Sequence, residues 1–533
     1  MKTVNLTIDN RSVVVPEGST LLDAAKSEGI DIPTLCHCEG FEPGTNCMLC
    51  TVHDVKTDRL VLACATPAAE GMEIMTGDDC VREARRDTLD LLLSEHLGDC
   101  EAPCTRACPA GMDIPLMIRQ IESGDFAGAL RTVKRDIALP AVLGRICPAP
   151  CEKACRRGQY DTSVAICALK RFAADMDLAK ASPYRPAIPE KSGKRVAVIG
   201  AGPAGLSAAY YIAAAGHDCR IFDSNTEPGG QLRYSVPDDR LPKSVLDAEI
   251  ERILSLGVEC ITERTLGKDF SVGELIRDFD AVVLAVGETQ PKDFGDDAPV
   301  YSRRGIEIDR GTFETSMPGV FAGGNAVSPG KMAIRSVAHG KQIARSVDCH
   351  FQNLPLAPPA REFNSVLGRL RDGEAEEFLR EAAPFGGVAM RGGSETGYEP
   401  DEAVREAKRC FHCDCRKPVS CKLRLYATEY GADRTRFAFD RTKRVKKIVR
   451  HDLIVFEPGK CIKCNLCIEI ARKAGEQFGL AFVGRGFDVE VAVPFDEPLE
   501  QALVKAAEAC AAACPTGALA LRDSEERADT GDA

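Results

Sequence analysis

Arg195-Val196-Ala197-Val198-Ile199-Gly200-Ala201-Gly202-Pro203-Ala204-Gly205 reads as a short apolar strand entering a glycine-rich turn and the start of a helix. Gly200 makes the turn, Gly202 lets backbone approach a pyrophosphate, and Gly205 allows close packing of helix on strand. The phosphates would sit at the helix N-terminus, where unpaired N–H groups and the dipole favour anions. Cys219-Arg220-Ile221-Phe222-Asp223 follows as a second strand, and Asp223, 23 residues after Gly200, is placed to bond a ribose. A GxGxxG alone is a weak signal; flanked by these strands it specifies a dinucleotide fold. Val196 to Gly216 is free of charge for 21 residues, long enough for a membrane span. Its glycines and proline favour a buried strand–turn–helix instead, so no membrane span is expected.

Around this unit the composition is that of a globular chain of 533 residues, long enough for two to four domains. Acidic residues outnumber basic ones, 80 to 68, and Trp is absent, which argues against a nucleic-acid partner. The informative count is 25 cysteines. They are bunched at intervals of one to a few residues, which suits metal capture better than disulfide pairing. The chain enters a strand pattern at once instead of a signal peptide, so a reducing cytoplasm is expected.

At the N-terminus Val4, Leu6 and Ile8 alternate with polar residues, Asp9-Asn10-Arg11 turns, and Val13 to Val15 return. A helix capped at Ser19 or Thr20 follows, ending at Gly29. Cys36, Cys47, Cys50 and Cys64 then give three ligands on one loop and a distant fourth, the arrangement a [2Fe–2S] rhomb needs. Zinc on the same four thiols is the bland alternative. Ile32-Pro33-Thr34-Leu35-Cys36, Cys47-Met48-Leu49-Cys50 and Ala63-Cys64 resemble the N-terminal ferredoxin domain of the complex I large iron–sulfur subunit and of [FeFe]-hydrogenases. Cys38 and Cys80 lie outside that pattern.

Residues 81–190 read as helical, for example Leu89 to Leu93 and Leu116 to Leu130. They carry Cys100, Cys104 and Cys108-Pro109, then Cys147-Pro148, Cys151 and Cys155. The second group resembles the cluster domain of the glutamate synthase small subunit and of dihydropyrimidine dehydrogenase, where two [4Fe–4S] clusters exchange ligands. That resemblance implies Cys100, Cys104 and Cys155 on one cluster and Cys108, Cys147 and Cys151 on the other. Each set lacks a fourth ligand. His96, in a His-x-x-x-Cys start also found in complex I, is either that ligand or a surface helix residue. Cys167 either completes the second set, as a soft thiolate suited to iron, or is a buried thiol.

Pro228-Gly229-Gly230-Gln231-Leu232, Ala281 to Gly287, and Met317 to Gly324-Asn325 with Ala333 again resemble the glutamate synthase small subunit, where such segments bind FAD. The resemblance therefore implies FAD contacts at Gly200, Ala201, Gly202, Pro203, Ala204, Gly205, Asp223, Gly230, Gln231, Leu232, Gly287, Gly324, Asn325 and Ala333. Asn325 stands where the family has Asp. The family also inserts an NADPH-binding Rossmann unit between the segments matching Gly287 and Thr315. Here only 27 residues separate them, fewer than the roughly 30 of a βαβ unit. The flavin site is expected to be kept and the pyridine nucleotide site lost.

In the C-terminal third Cys410, Cys413, Cys415 and Cys421 suggest a third [4Fe–4S] site, with zinc as the rival because the one-residue interval is unusual for a ferredoxin. Arg441, Lys443, Arg444, Lys446, Lys447 and Arg450 read as a solvated strand face, with docking of an acidic partner as the alternative. Cys461, Cys464, Cys467 and the distant Cys514-Pro515, with Gly484 and Gly486 between, resemble the last [4Fe–4S] domain of the complex I large subunit. Cys510 is spare.

The expected architecture is a multidomain α/β and α+β chain. It has an N-terminal β-grasp [2Fe–2S] ferredoxin-like domain (1–80), a helical domain with two [4Fe–4S] clusters (81–190), and a Rossmann-like FAD domain lacking the NAD(P) insertion (191–352). A linker with the third cysteine group (353–425), a ferredoxin-like [4Fe–4S] domain (426–524) and a tail (525–533) follow. One flavin, one [2Fe–2S] and three or four [4Fe–4S] clusters, with no carboxylate pair, nucleophile triad or P-loop, describe an electron conductor. The expected function is electron transfer within a cytoplasmic multisubunit oxidoreductase. The chain would link a nucleotide-oxidising flavoprotein partner to a hydrogenase or formate dehydrogenase type of catalytic subunit, and flavin-based bifurcation is compatible with that role. The alternatives are a self-sufficient NAD(P)H:acceptor oxidoreductase and a zinc-stabilised scaffold.

Overall fold

Strict alternation puts Leu6, Ile8, Val13 and Val15 on the buried face of an antiparallel pair, β1 (Thr3–Ile8) and β2 (Arg11–Pro16). Asp9 and Asn10 turn between them with φ of 48° and 64°, the left-handed pair that a tight hairpin of this twist requires. The computed structural model describes residues 2–330, 332–358, 362–391, 396–438, 444–449 and 451–522; the expected tail, 525–533, lies outside them. Helix α1 (Leu21–Ser27) starts from a capping box of Thr20 and Asp23 and lays Leu21, Leu22, Ala24 and Ala25 on the strands. Strands β3 (Thr51–Asp54), β4 (Arg59–Leu62) and β5 (Glu73–Met75) complete a mixed sheet of order β2-β1-β5-β3-β4, in which β1 and β5 run parallel. Helix α2 (Asp79–Ser94) follows, capped by Asp78.

The chain divides into two units, Met1–Ala102 with Arg361–Glu381 and Phe411–Ala533, and Pro103–Ala360 with Ala382–Cys410. The second unit is thus interposed in the sequence of the first. Two expected boundaries change accordingly: segment 81–190 is cut after Ala102, and segment 353–425 is shared between the units.

The second unit begins with helices α3 (Pro103–Ala107), α4 (Ile114–Glu122), α5 (Phe126–Asp136), α6 (Pro140–Ile146), α7 (Pro150–Lys153) and α8 (Ile166–Leu178). The apolar run Leu116 to Leu130 is two helices, because Gly124 takes φ 83° between them. Strand β6 (Arg195–Ile199), α9 (Pro203–Ala214), β7 (Asp218–Phe222), α10 (Gln231–Tyr234), α11 (Lys243–Leu254), β8 (Glu259–Ile261), α12 (Val272–Asp278) and β9 (Ala281–Leu284) follow. A hairpin of β10 (Tyr301–Ser302) and β11 (Gly305–Ile306) precedes β12 (Val320–Ala322) and α13 (Ala333–Phe351). The large sheet has order β12-β9-β6-β7-β8 and is parallel throughout, with the order reversing between β6 and β9. Its central strands are buried on both faces, hence the uninterrupted apolar runs. Met117, Val133, Leu143 and Leu169 of the helices share one core with Val198, Leu206 and Val337 of the sheet layer. The helical and Rossmann-like segments, expected as separate domains, are one packed body.

Helix α14 (Glu374–Leu379) belongs to the first unit and α15 (Pro400–Ala407) to the second. Two fully buried arginines tie residues 155–163 to the end of α15. Arg157 pairs with Asp161 at 2.6 Å and donates to the Arg409 carbonyl at 3.1 Å. Arg409 pairs with Glu406 at 2.7 Å and donates to the Thr162 carbonyl at 2.7 Å. Cys410 is thereby held beside the loop that carries Cys155.

The first unit resumes with α16 (Lys422–Glu429), β13 (Ile454–Phe456), α17 (Leu466–Ala474), β14 (Ala481–Val483), β15 (Glu490–Ala492), α18 (Leu499–Ala502), α19 (Ala507–Ala513) and β16 (Leu519–Leu521). Strands β13 and β16 pair antiparallel over a small core of Phe456, Leu480, Leu499 and Leu519. The basic run is not a uniformly solvated face. Lys447 is buried and pairs with Glu381 at 2.9 Å, and the Val445 and Lys447 N–H groups donate to Glu374 and Glu377 of α14; Arg441, Lys443 and Arg450 lie outside the described residues. Among the described residues no helix is long and apolar enough to cross a membrane.

Candidate functional site

The loop after α1 gathers Cys36, Cys47, Cys50 and Cys64, all buried. Thr45 and Met48 take φ of 52° and 55°, which curls the loop so that amides face sulfur. Backbone N–H groups of Asn46 and Cys47 point at the Cys36 thiol, and those of Leu35 and Leu49 at Cys47. Contact with Cys47 pulls the Cys36 thiol down to about 6, and contact with Cys64 pulls Cys50 down to about 7. Each lowered thiol has a raised partner, Cys47 beside Cys36 and Cys64 beside Cys50; four converging thiols surrounded by amide donors suit an iron–sulfur group.

A second set in the first unit was not legible as a set. The Cys415 N–H donates to the Cys100 carbonyl at 3.2 Å, and the Cys421 thiol feels the charges of Cys415 and Cys100. The Ser365 N–H donates to Cys100 Sγ at 3.3 Å. His96 follows α2, four residues before Cys100; its ring is buried and Nδ1 has no hydrogen-bond partner among the described residues. Burial, with the charges of Lys460 and Arg434, pushes His96 down to about 3, so a neutral imidazole is available as a ligand. Cys100 thus stands with Cys415 and Cys421, a grouping the sequence spacing did not suggest. Of the four cysteines from 410 to 421, Cys410 falls in the second unit and Cys413, Cys415 and Cys421 in the first.

The C-terminal four, Cys461, Cys464, Cys467 and Cys514, line one pocket. Lys463 and Asn465, with φ of 58° and 73°, bend the ligand loop, and the Lys463 N–H donates to Cys461 Sγ at 3.3 Å. Cys510 turns away and donates to the Cys467 carbonyl at 3.5 Å. Gly517, three residues after Cys514, is needed elsewhere: a Cβ there would stand 2.3 Å from Cys415 Sγ. Gly517→Ala should therefore displace Cys415 and cost the His96–Cys100 set its metal, about four irons if the set holds a cluster. Iron analysis checks it; full iron in the variant would detach Gly517 from that set.

In the second unit Cys108, Cys147 and Cys151 line a pocket together with Lys170. Cys167, on α8, lies within hydrogen-bonding reach of both Cys147 and Cys151. Cys104 on α3 and Cys155 after α7 pack against the same core as Cys410. Among the described residues no three His, Cys, Asp or Glu side chains stand close enough to hold a single metal ion. A four-iron cluster needs its ligands farther apart than a lone zinc with Zn–S near about 2.3 Å.

The dinucleotide turn sits where the sheet order reverses, at the ends of β6 and β9. A Cβ on Gly200, at φ 103°, would stand 2.4 Å from the Ala285 carbonyl oxygen. One on Gly205 would stand 1.8 Å from the Gly200 oxygen, whereas Gly202 has open space before it. Gly230 closes over the turn, 2.8 Å from Gly202 Cα by its added Cβ, and starts α10 with Gln231 and the buried Leu232. Asp223 accepts from the Ala201 N–H at 2.6 Å and from Asn225, so it braces the turn as well as facing the site. Gly287 follows β9 at φ 78°; Gly324, at φ 67°, donates its N–H to His339 Nδ1 at 3.1 Å, with Asn325 next and Ala333 opening α13. His339 was not foreseen, since a lone histidine within a helix carries no local signal. Gly202→Ala should fold normally but lose bound dinucleotide. Gly205→Ala should cost about 1–3 kcal/mol or more through overpacking. Thermal melts and bound-flavin absorbance separate the two.

Comparison with known proteins agrees with the order of these sites. Residues 1–79 match the 2Fe-2S iron-sulfur cluster binding domain family, residues 75–182 the family of dihydropyrimidine dehydrogenase domain II, 4Fe-4S cluster, and residues 198–255 an NAD(P)-binding Rossmann-like domain family. The chain is 36% identical over 308 residues to the NADP(+)-dependent formate dehydrogenase subunit beta of Moorella thermoacetica, covering 52% of this chain and 42% of that protein. It is 43% identical over 197 residues to the NADPH-Fe(3+) oxidoreductase subunit beta of Geobacter sulfurreducens, 36% of this chain and 29% of that one. Over 294 residues it is 32% identical to Glutamate synthase [NADH] of Schizosaccharomyces pombe, 50% of this chain and 14% of that one. The chain thus spans less than half the length of each of these relatives.

Proposed function

We propose that the chain is an iron–sulfur flavoprotein, the electron-transfer subunit of a multisubunit oxidoreductase working in a reducing cytoplasm. The observation that carries this reading is the convergence of thiols from distant parts of the chain into sets around small buried cavities. Cys36, Cys47, Cys50 and Cys64 would hold a [2Fe–2S] cluster. His96 with Cys100, Cys415 and Cys421, and Cys461 with Cys464, Cys467 and Cys514, would each hold a [4Fe–4S] cluster in the first unit. In the second unit Cys108, Cys147, Cys151 and Cys167 would hold one, and Cys104, Cys155 and Cys410 would hold another. Bound clusters supply one-electron steps and a flavin supplies the exchange between two-electron and one-electron chemistry. The residues themselves exclude water, fix the ligands and set the local charge.

The turn at Gly200 to Gly205 would hold FAD, with Asp223 bracing it and Gly324 and Asn325 receiving the far end. The formate dehydrogenase and NADPH-Fe(3+) oxidoreductase relatives support partner subunits that oxidise a nucleotide or formate. One observation favours a second reading: residues 198–255 match an NAD(P)-binding family, so the turn would hold a pyridine nucleotide and the chain would be a reductase in its own right. Anaerobic purification followed by iron, sulfide, zinc and flavin analysis tests both. The expected content is about 18 iron atoms and one FAD per chain. Iron without flavin favours the second reading, and zinc in place of iron sinks both.

A further inference from the structure

Lys170 sits on α8 one turn after Cys167, and its side chain is buried. Its ammonium lines the pocket shared by Cys108, Cys147 and Cys151. Its one hydrogen-bond partner is Cys167 Sγ, 3.9 Å away. The other lysines buried among the described residues are served differently. Lys134 donates to the Ala138 carbonyl and Glu249, Lys417 to two backbone carbonyls, Lys447 to Glu381 and Lys460 to Glu457. The carboxylate beside Lys170, Glu152, is turned to the Cys167 N–H at 2.8 Å. A buried ammonium without an oxygen partner is costly unless an anion occupies the space before it. The thiols of Cys108, Cys147, Cys151 and Cys167 are what the chain offers there.

We propose that Lys170 is a positioning and potential-setting residue for the cluster held by Cys108, Cys147, Cys151 and Cys167, an inference that rests on the iron–sulfur reading of that site. A thiolate-bound cluster is an anion whose charge grows by one when it gains an electron. A positive charge buried beside a cluster stabilises the reduced form more than the oxidised one. Lys170 therefore raises the reduction potential of this cluster above what its ligands alone would set, and makes it a resting place for electrons within the unit. The cluster gains the electron; Lys170 supplies charge and takes no part in the transfer.

The test is a redox titration of the full chain, monitored by electron paramagnetic resonance, in three variants. Cys151→Ala identifies the signal of this cluster by removing it. Lys170→Met should keep the signal and lower the reduced-to-oxidised ratio at a fixed potential about tenfold, equivalent to about 59 mV for one electron. Lys170→Arg, which keeps the charge, should titrate within about twofold of the native chain. An unchanged midpoint in Lys170→Met overturns the inference while leaving the cluster in place. A Met variant that loses the cluster does so too if the Arg variant's midpoint moves by a tenfold ratio. Retention at the native midpoint by Arg alone supports it. Absence of any cluster signal sensitive to Cys151→Ala overturns the cluster reading itself.

Discussion

NADH and NADPH should each fail to bleach the flavin band of the isolated chain at a useful rate, whereas dithionite should bleach it fully. Hydride transfer requires the nicotinamide to stack on the flavin ring, and misplacement by even 1 Å costs about 10²-fold. The second unit contains one parallel sheet with one glycine turn, at Gly200 to Gly205. Between β9 and β12, where a second nucleotide-binding unit would have to lie, the described residues form a short 3₁₀ helix (Pro291–Asp297) and the two-residue strands β10 and β11. Stopped-flow absorbance under anaerobic conditions, with each nucleotide alone and then with a nucleotide-oxidising partner subunit, makes the comparison. Reduction should appear only with the partner. Rapid, saturable reduction of the isolated chain by either nucleotide would promote the self-sufficient reductase to first place.

Cys415→Ser and Cys421→Ser should each remove the same cluster as Cys100→Ser, with loss of about four iron atoms per chain. Cys510→Ser should remove none, because its thiol faces the Cys467 carbonyl and is not among the residues lining the pocket of Cys461, Cys464, Cys467 and Cys514. The three variants are informative together: residue 100 is more than three hundred positions from residues 415 and 421, yet the Cys415 N–H meets the Cys100 carbonyl and Cys421 feels both thiols. Iron analysis with cluster-resolved electron paramagnetic resonance reads the result. If Cys100→Ser removes a different signal from Cys421→Ser, the set is wrong. His96→Ala should alter that same signal, and His96→Cys should restore a cluster of changed potential, as thiolate replaces neutral imidazole.

Local chemistry was legible residue by residue. The β1–β2 hairpin followed from alternation around Asp9-Asn10, and the strand–turn–helix at Gly200 from the glycine spacing, because a turn and a pleat are decided within a few residues. The loops of Cys36 to Cys50 and Cys461 to Cys467 were readable for the same reason, and so was the shortfall of residues between Gly287 and Thr315. The resemblance to the glutamate synthase small subunit offered Cys167 as a partner of Cys147 and Cys151, with a buried thiol as the alternative, and the structure has its side chain within reach of both.

Partnership across the chain was not legible. Interposing residues 103–360 and 382–410 within the first unit separates Cys100 from Cys415 and Cys421, so spacing, the one tool a cysteine motif offers, carries no information about that set. Nor did spacing show that Arg157 and Arg409 hold Cys410 beside the Cys155 loop. Lys170 in sequence is one more helix lysine; only the packing of α8 turns its ammonium into a cavity of thiols. The sequence by itself determined which chemistry each short segment can support, because ligand type and turn geometry are local. Tertiary structure alone decided which segments share a site and what charge each site feels, because burial and long-range contact are properties of the packed chain.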